Sequence, residues 1–114
     1  MTTLYGIKNC DTVKKARTWL EKNTINYVFH DVRDDGLDNA QVADWIAQLG
    51  WEQVVNKRST SWKALTPDQR ETMDEASAIE AIIATPTLFK RPLLALNGRY
   101  HVGFKVADYE QLFS

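Results

Sequence analysis

Leu4-Tyr5-Gly6-Ile7-Lys8-Asn9-Cys10-Asp11-Thr12-Val13-Lys14-Lys15-Ala16 contains the change of period that decides the fold. Leu4 to Ile7 is a short apolar run of strand type, ended by the polar Lys8-Asn9. From Asp11 or Thr12 to Asn23 the pattern is helical. Val13, Ala16, Trp19 and Leu20 fall at i, i+3, i+6 and i+7, and Lys14, Lys15, Arg17 and Glu21 fill the other face. Tyr27-Val28-Phe29 is strand-like again and closes at His30-Asp31. Strand, helix and strand within about 30 residues form a βαβ unit, which demands parallel strands and a right-handed crossover.

Farther along, Asp38 caps a second helix whose apolar positions Val42, Trp45, Ile46 and Leu49 repeat at helical spacing and end at Gly50. Residues 51–84 hold no strand pattern. Thr66-Pro67-Asp68 starts a polar helix, and Ala76 to Ala84 carries Ile79, Ile82 and Ile83 as another. Leu93-Leu94-Ala95-Leu96 and Tyr100-His101-Val102 are joined by Asn97-Gly98-Arg99, and Asn-Gly is the strongest short hairpin signal. A last helix runs from about Val106 to Phe113. The order β-α-β, helical segment, β-β-α predicts an α/β, thioredoxin-like fold: a mixed four-stranded sheet in one domain over 1–114, with a helical insertion at about 38–84.

Composition narrows the function. A chain of 114 residues, 44% of them hydrophobic, can bury roughly two-thirds of its unfolded surface, enough for one core. A net charge of −1 argues against broad electrostatic binding to nucleic acid or anionic membrane. No apolar run approaches the roughly 18 residues of a membrane span, and Met1-Thr2-Thr3-Leu4-Tyr5 has no signal-peptide pattern, so a cytoplasmic protein is expected. The single cysteine, Cys10, excludes an internal disulfide and a cysteine-cluster metal site. His30 and His101 lack metal-ligand spacing and acidic partners and read as structural; the four tryptophans read as core anchors.

Cys10 follows the first strand at the mouth of the first helix, where backbone N–H groups and the helix dipole favour thiolate over thiol. Lys8 and Lys14 add positive potential and Asp11 opposes it. A thiolate attacks disulfides or oxyanions; the other reading is a buried cysteine acting as a small hydrophobe. Three residues on stands Val13, so a two-cysteine mechanism within one chain is excluded and thiol chemistry requires an outside thiol, glutathione being the natural one. Pro92 stands just before the third strand, where thioredoxin-like folds carry a cis-proline facing the active cysteine. A trans proline starting a strand is the plainer reading. Arg91 beside it offers a fork of donors to a carboxylate or oxyanion. Asn56-Lys57-Arg58-Ser59-Thr60-Ser61 is a basic, hydroxyl-rich loop, either a second anion-binding segment or a solvated turn.

These stretches, with Phe29-His30-Asp31, Asp35-Gly36-Leu37-Asp38, Leu49-Gly50-Trp51-Glu52, Asn56 to Trp62, Lys90-Arg91-Pro92-Leu93-Leu94 and Val102-Gly103-Phe104, are similar to the arsenate reductase (ArsC) family, specifically its YffB-like branch. Relatives of that branch include the Spx transcription regulators. The resemblance covers almost the whole chain and implies a thioredoxin-like core with a helical insertion. In the glutathione/glutaredoxin-linked arsenate reductases a cysteine and three arginines hold the oxyanion. The cysteine matches Cys10, the first arginine Arg58 and the second Arg91, before the cis-proline that matches Pro92. The third has no match, and Lys105 stands in its neighbourhood. Two further departures are Gly6, where those enzymes carry a histidine, and Asp11-Thr12-Val13, where they carry a small Gly-Thr-Ser-like turn.

The resemblance therefore implies a glutathione-dependent thiol oxidoreductase with catalytic Cys10, substrate or anion contacts from Lys8, Arg58, Arg91, Pro92 and Lys105, and weak or no arsenate activity. Glutathione is the expected co-substrate and glutaredoxin a partner of a monomer with no bound cofactor or metal. The alternative is an Spx-like, non-enzymatic regulator or adaptor binding RNA polymerase, although Val13 removes the Cys-x-x-Cys switch of that group. A third reading keeps the fold without turnover.

Overall fold

The computed structural model describes all residues, Met1–Ser114. In chain order the elements are β1 (Thr2–Gly6), α1 (Asp11–Lys22), β2 (Val28–Asp31), α2 (Asn39–Leu49), α3 (Trp51–Val54), α4 (Thr60–Lys63), α5 (Pro67–Glu71), α6 (Glu75–Ala84), a 3₁₀ turn (Pro86–Leu88), β3 (Leu93–Leu96), β4 (Arg99–Val102) and α7 (Val106–Leu112). They divide into two compact units, one formed by Met1–Asp31 with Arg91–Ser114, the other by Val32–Lys90.

The first unit carries the sheet, in the order β2-β1-β3-β4. β1 pairs parallel with β2 and antiparallel with β3, and β3 pairs antiparallel with β4. This is the mixed four-stranded, thioredoxin-like arrangement expected from the element order. Asn97 (φ 50) and Gly98 (φ 82) both take positive φ, as a two-residue type I′ hairpin turn requires. The turn uses only those two residues, so Arg99 joins β4 opposite Leu96. β2 starts at Val28 rather than Tyr27. The Tyr27 hydroxyl accepts from Arg17 Nε (3.1 Å) and donates to Glu21 Oε2 (2.7 Å), which ties the strand's approach to α1.

α1 buries Val13, Ala16 and Leu20, three of the four residues whose spacing predicts it. Leu4, Ala16, Leu20, Leu94 and Tyr109 form the buried cluster of this unit, with Trp19, Phe29, Phe104 and Phe113 packed against it. Trp19 and Phe104 meet Tyr109 edge-on, with ring centroids 5.5 and 4.7 Å away.

The second unit is helical. Asp38 and Gln41 form a reciprocal capping box on α2. Gly50 (φ 84) bends the chain, and α3 restarts at once on its carbonyl, so the end signal at Gly50 is correct and the helix beyond it is not visible in the pattern. The expected helical insertion lies inside this unit. The unit also takes in Val32 to Leu37 and the 3₁₀ turn, and an antiparallel bridge just past that turn joins Phe89 to Val55. The buried Trp45 packs 5.3 Å from Phe89.

Tyr109 is fully buried and its hydroxyl has no hydrogen-bond partner, so burial pushes its phenol well above the ordinary value. An unsatisfied buried hydroxyl costs about 1–3 kcal/mol. Tyr109→Phe keeps the ring and removes that cost, so thermal unfolding should show a Tm higher by roughly 4 °C, equivalent to about 1 kcal/mol. A Tm lowered by the same amount would show that the hydroxyl is satisfied in solution.

Candidate active site

The site is built at the end of the sheet where the parallel strands finish. β1 ends at Gly6, paired with Asp31 at the end of β2. Ile7 goes into the core, and Lys8 and Asn9 cross the exposed rim to Cys10. The nearly buried Asp31 carboxylate accepts the Lys8 backbone N–H (3.3 Å) and so fastens the loop that delivers the cysteine. A carboxylate in that place is worth more than a neutral acceptor, because charge-assisted bonds to N–H groups are about twice as strong.

Cys10 is the N-cap residue of α1, extended (φ −108, ψ 124) and half-buried. Its carbonyl accepts the Lys14 N–H at 3.0 Å, while its side chain caps no N–H of the first turn. The sulfur is thus uncommitted at a helix end whose dipole and unpaired N–H groups favour an anion. Asp11, in the first turn, opposes that field.

Val13 faces inward and is fully buried. A Cβ built on Gly6 would lie 2.8 and 3.0 Å from the two Val13 methyl carbons. Val13 therefore fills the space that a side chain at Gly6 would need. The glycine at 6, where the arsenate reductases carry a histidine, and the valine at 13, where the Spx group carries a cysteine, are therefore one packing solution.

The Arg91–Pro92 bond is cis, as the resemblance implies. Leu93 pairs with Tyr5 and with Val102, so Arg91 and Pro92 enter the sheet at the end where β1 leaves for Cys10. Pro92 is buried and Arg91 half-buried. The Pro92 carbonyl accepts the Gly103 N–H (2.9 Å), and Gly103 has positive φ (82), a conformation that favours glycine. That bond holds the β4–α7 connection, whose exposed Lys105 is the N-cap of α7, at the same sheet end. Lys8, Cys10, Arg91, Pro92 and Lys105 are thereby gathered by one unit.

Arg58 belongs to the other unit. It is exposed, in a loop folded by its own neighbours: Asn56 Oδ1 accepts the Arg58 N–H (3.0 Å), and Ser59 donates to the Asn56 carbonyl (2.7 Å) while its oxygen caps α4 at Trp62 (3.1 Å). The Lys57 ammonium lies 5.3 and 5.9 Å from the Trp51 and Trp62 rings and 3.6 Å from Glu52. The stretch read as a basic loop is thus half loop and half helix cap, and those two tryptophans are half-buried neighbours of a cation rather than core anchors.

Sequence reasoning missed Asp31 as a site residue. Its only signal is an acid closing a parallel strand next to a functional loop. His101 does have an acidic neighbour, with Nε2 3.6 Å from Asp108 Oδ2, which corrects the expectation that it has none. His30 packs against Tyr5 (4.9 Å). No three His, Cys, Asp or Glu side chains converge as a metal site would need, and no helix is long and apolar enough to cross a membrane.

Comparison with known proteins agrees with this fold. Residues 5–112 match the model of the ArsC family. Among solved structures, the YFFB protein is 44% identical, with all of both chains covered and a TM-score of 0.96. An arsenate reductase (ArsC) related protein from Brucella melitensis is 46% identical over 99% of this chain and 94% of its own, with a TM-score of 0.79. The global transcriptional regulator Spx of Streptococcus agalactiae is 27% identical over 91% of this chain and 77% of its own.

The Gly6–Val13 contact makes a coupled prediction. Gly6→Ala alone overpacks the β1–α1 contact and should destabilise the fold by about 1–3 kcal/mol. In a Val13→Ala background the same change should cost at least about 1 kcal/mol less, a coupling readable by denaturant unfolding of the four proteins. Strict additivity would show that Val13 does not occupy that space.

Proposed function

The chain belongs to the ArsC family, and from that premise we propose that it is a glutathione-dependent thiol oxidoreductase working with one sulfur. The observation that carries this reading is the uncapped, half-buried Cys10 at the start of α1, in a chain with no second cysteine and with Val13 buried three residues on. The Cys10 thiolate attacks the glutathione-side sulfur of a mixed disulfide R–S–S–G. A Cys10–glutathione disulfide forms, the R–S bond breaks, and RS⁻ leaves to take a proton from solvent. A second glutathione thiolate then attacks that disulfide, giving oxidised glutathione and the free Cys10 thiolate. The net reaction, RSSG + GSH → RSH + GSSG, reduces the R sulfur and oxidises the incoming glutathione sulfur, with electrons balanced and no bound cofactor. Glutaredoxin fits the second step as a protein thiol donor.

Glutathione is an extended tripeptide with two carboxylates. Arg91, placed at the sheet end beside Pro92, supplies a bidentate fork for one of them. Lys8 and Lys105 supply point charges, and Arg58 belongs to the reading as the family's other arginine. Lysine cannot reproduce a bidentate oxyanion contact, and Asp11 repels a second anion near Cys10, so arsenate is a poor substrate in this reading.

Spx-type regulation is the second reading, favoured by the likeness to the streptococcal Spx over most of the chain. It has to operate without a Cys-x-x-Cys switch, because position 13 is a buried valine. A pull-down with RNA polymerase beside a glutathione-linked turnover assay separates the two.

Two outcomes test the oxidoreductase reading. Incubation with oxidised glutathione should give one glutathione adduct per chain by mass spectrometry, absent in Cys10→Ser. Arg91→Ala, folded by circular dichroism, should weaken glutathione binding by about tenfold, since a charge-assisted bond is worth about 1.5–3 kcal/mol. Unchanged affinity in both Arg91→Ala and Arg58→Ala would remove the anion-site reading. Separately, the purified protein with glutathione and glutaredoxin should reduce arsenate slowly or not at all; robust turnover would point to Lys105 as the third cation.

A further inference from the structure

The outer face of α1 carries a groove that the thiol chemistry does not use. It measures about 410 Å³. Trp19, Phe104 and Val106 form its floor, and Lys14, Lys15 and Lys22 stand around it. The floor is preformed: Trp19 and Phe104 both pack edge-on against the buried Tyr109 (5.5 and 4.7 Å), and Trp19 also lies 5.8 Å from Phe113. A ligand landing there orders nothing new, which lowers the cost of binding. Val106 is 48% exposed, one of few large apolar side chains left to solvent.

The rim is as one-sided as the floor. All three lysines are exposed, none enters an ion pair within the protein, and no acidic residue lines the groove. The whole chain carries a net charge of −1, so three unpaired ammonium groups around one apolar floor are a local concentration rather than a general excess.

We infer that this groove docks an acidic segment of a partner protein, with carboxylates on Lys14, Lys15 and Lys22 and an aromatic or aliphatic anchor covering Trp19, Phe104 and Val106. Charge complementarity selects the acidic partner, and the apolar floor selects a segment with an anchor over a bare anion. A lipid surface fits poorly, because the apolar stripe of α1 (Val13, Ala16, Leu20) is already buried in the core and cannot insert. Nucleic acid fits poorly, because the slightly acidic chain supplies no extended positive field. The groove starts one helical turn beyond Cys10, whose carbonyl accepts the Lys14 N–H.

The test uses the full chain and three short fluorescent peptides: Glu/Asp-rich with a central Trp-Leu pair, the same with lysines for the acids, and the same with alanines for the anchor. Fluorescence anisotropy gives affinity, and ¹H–¹⁵N spectra locate the contact. The acidic anchored peptide should saturate, shift the signals of Trp19, Phe104 and Val106, and weaken as salt rises. Lys15→Glu with Lys22→Glu should lower its affinity by about tenfold or more. Val106→Asp should do the same, and neither variant should change the circular dichroism. Cys10→Ser should bind as the natural protein does, which keeps this outcome separate from the thiol reading. Shifts elsewhere, equal binding of the lysine peptide or indifference to both variants overturns the proposal. So does groove-dependent binding of phosphatidylglycerol vesicles, oligonucleotide or a second copy of the chain in place of the peptide.

Discussion

Val13 lies so close over Gly6 that a Cβ added to the glycine would stand about 3 Å from both its methyl carbons, and this contact sets the depth at which α1 rests on β1. Helix-on-strand approach that tight needs a glycine on one side and a filled, branched residue on the other. Once it is made, the chain has only Ile7 to Cys10 in which to leave the strand and start the helix. Ile7 is buried, Lys8 is tied by its N–H to Asp31, and Cys10 has no freedom to be anywhere but the helix mouth. The position three residues after Cys10 faces the core, and the chain fills it with a valine.

Most of the fold is legible because it is written in local periods. The switch from strand to helix at Asp11, the Asp38 cap and the Asn97-Gly98 turn each rest on residues next to one another, and each stands where local rules place it. Elements of a single turn are not legible: α3 and α4 have four residues each, too few to show a period, and only Ser59 signals the second of them. The site divides in the same way. Cys10 and Arg91 are placed by the strands that flank them, whereas Asp31 acquires its meaning from a hydrogen bond across 23 residues. Arg58 is legible from its motif and from the expected insertion, and the contact pattern puts it in the helical unit accordingly.

Tyr109 shows how opposing magnitudes settle in one residue. Its hydroxyl is buried without a partner, a cost of about 1–3 kcal/mol. Against that stand edge-on or tilted contacts with Trp19, His101, Phe104 and Phe113, each worth about 0.5–1.5 kcal/mol beyond the area buried, and the burial of the ring itself. The aromatic terms win by several kcal/mol, so the orphaned oxygen is tolerated. The ring also links three segments that local sequence leaves separate: α1 through Trp19, the end of β4 through His101, and the β4–α7 connection through Phe104. The helix that presents Cys10 and the connection that presents Lys105 therefore rest on a common residue, and the Pro92–Gly103 hydrogen bond fixes that connection from its other side. A change in the packing of Tyr109 reaches both groups at once, although the ring touches neither the sulfur nor an anion.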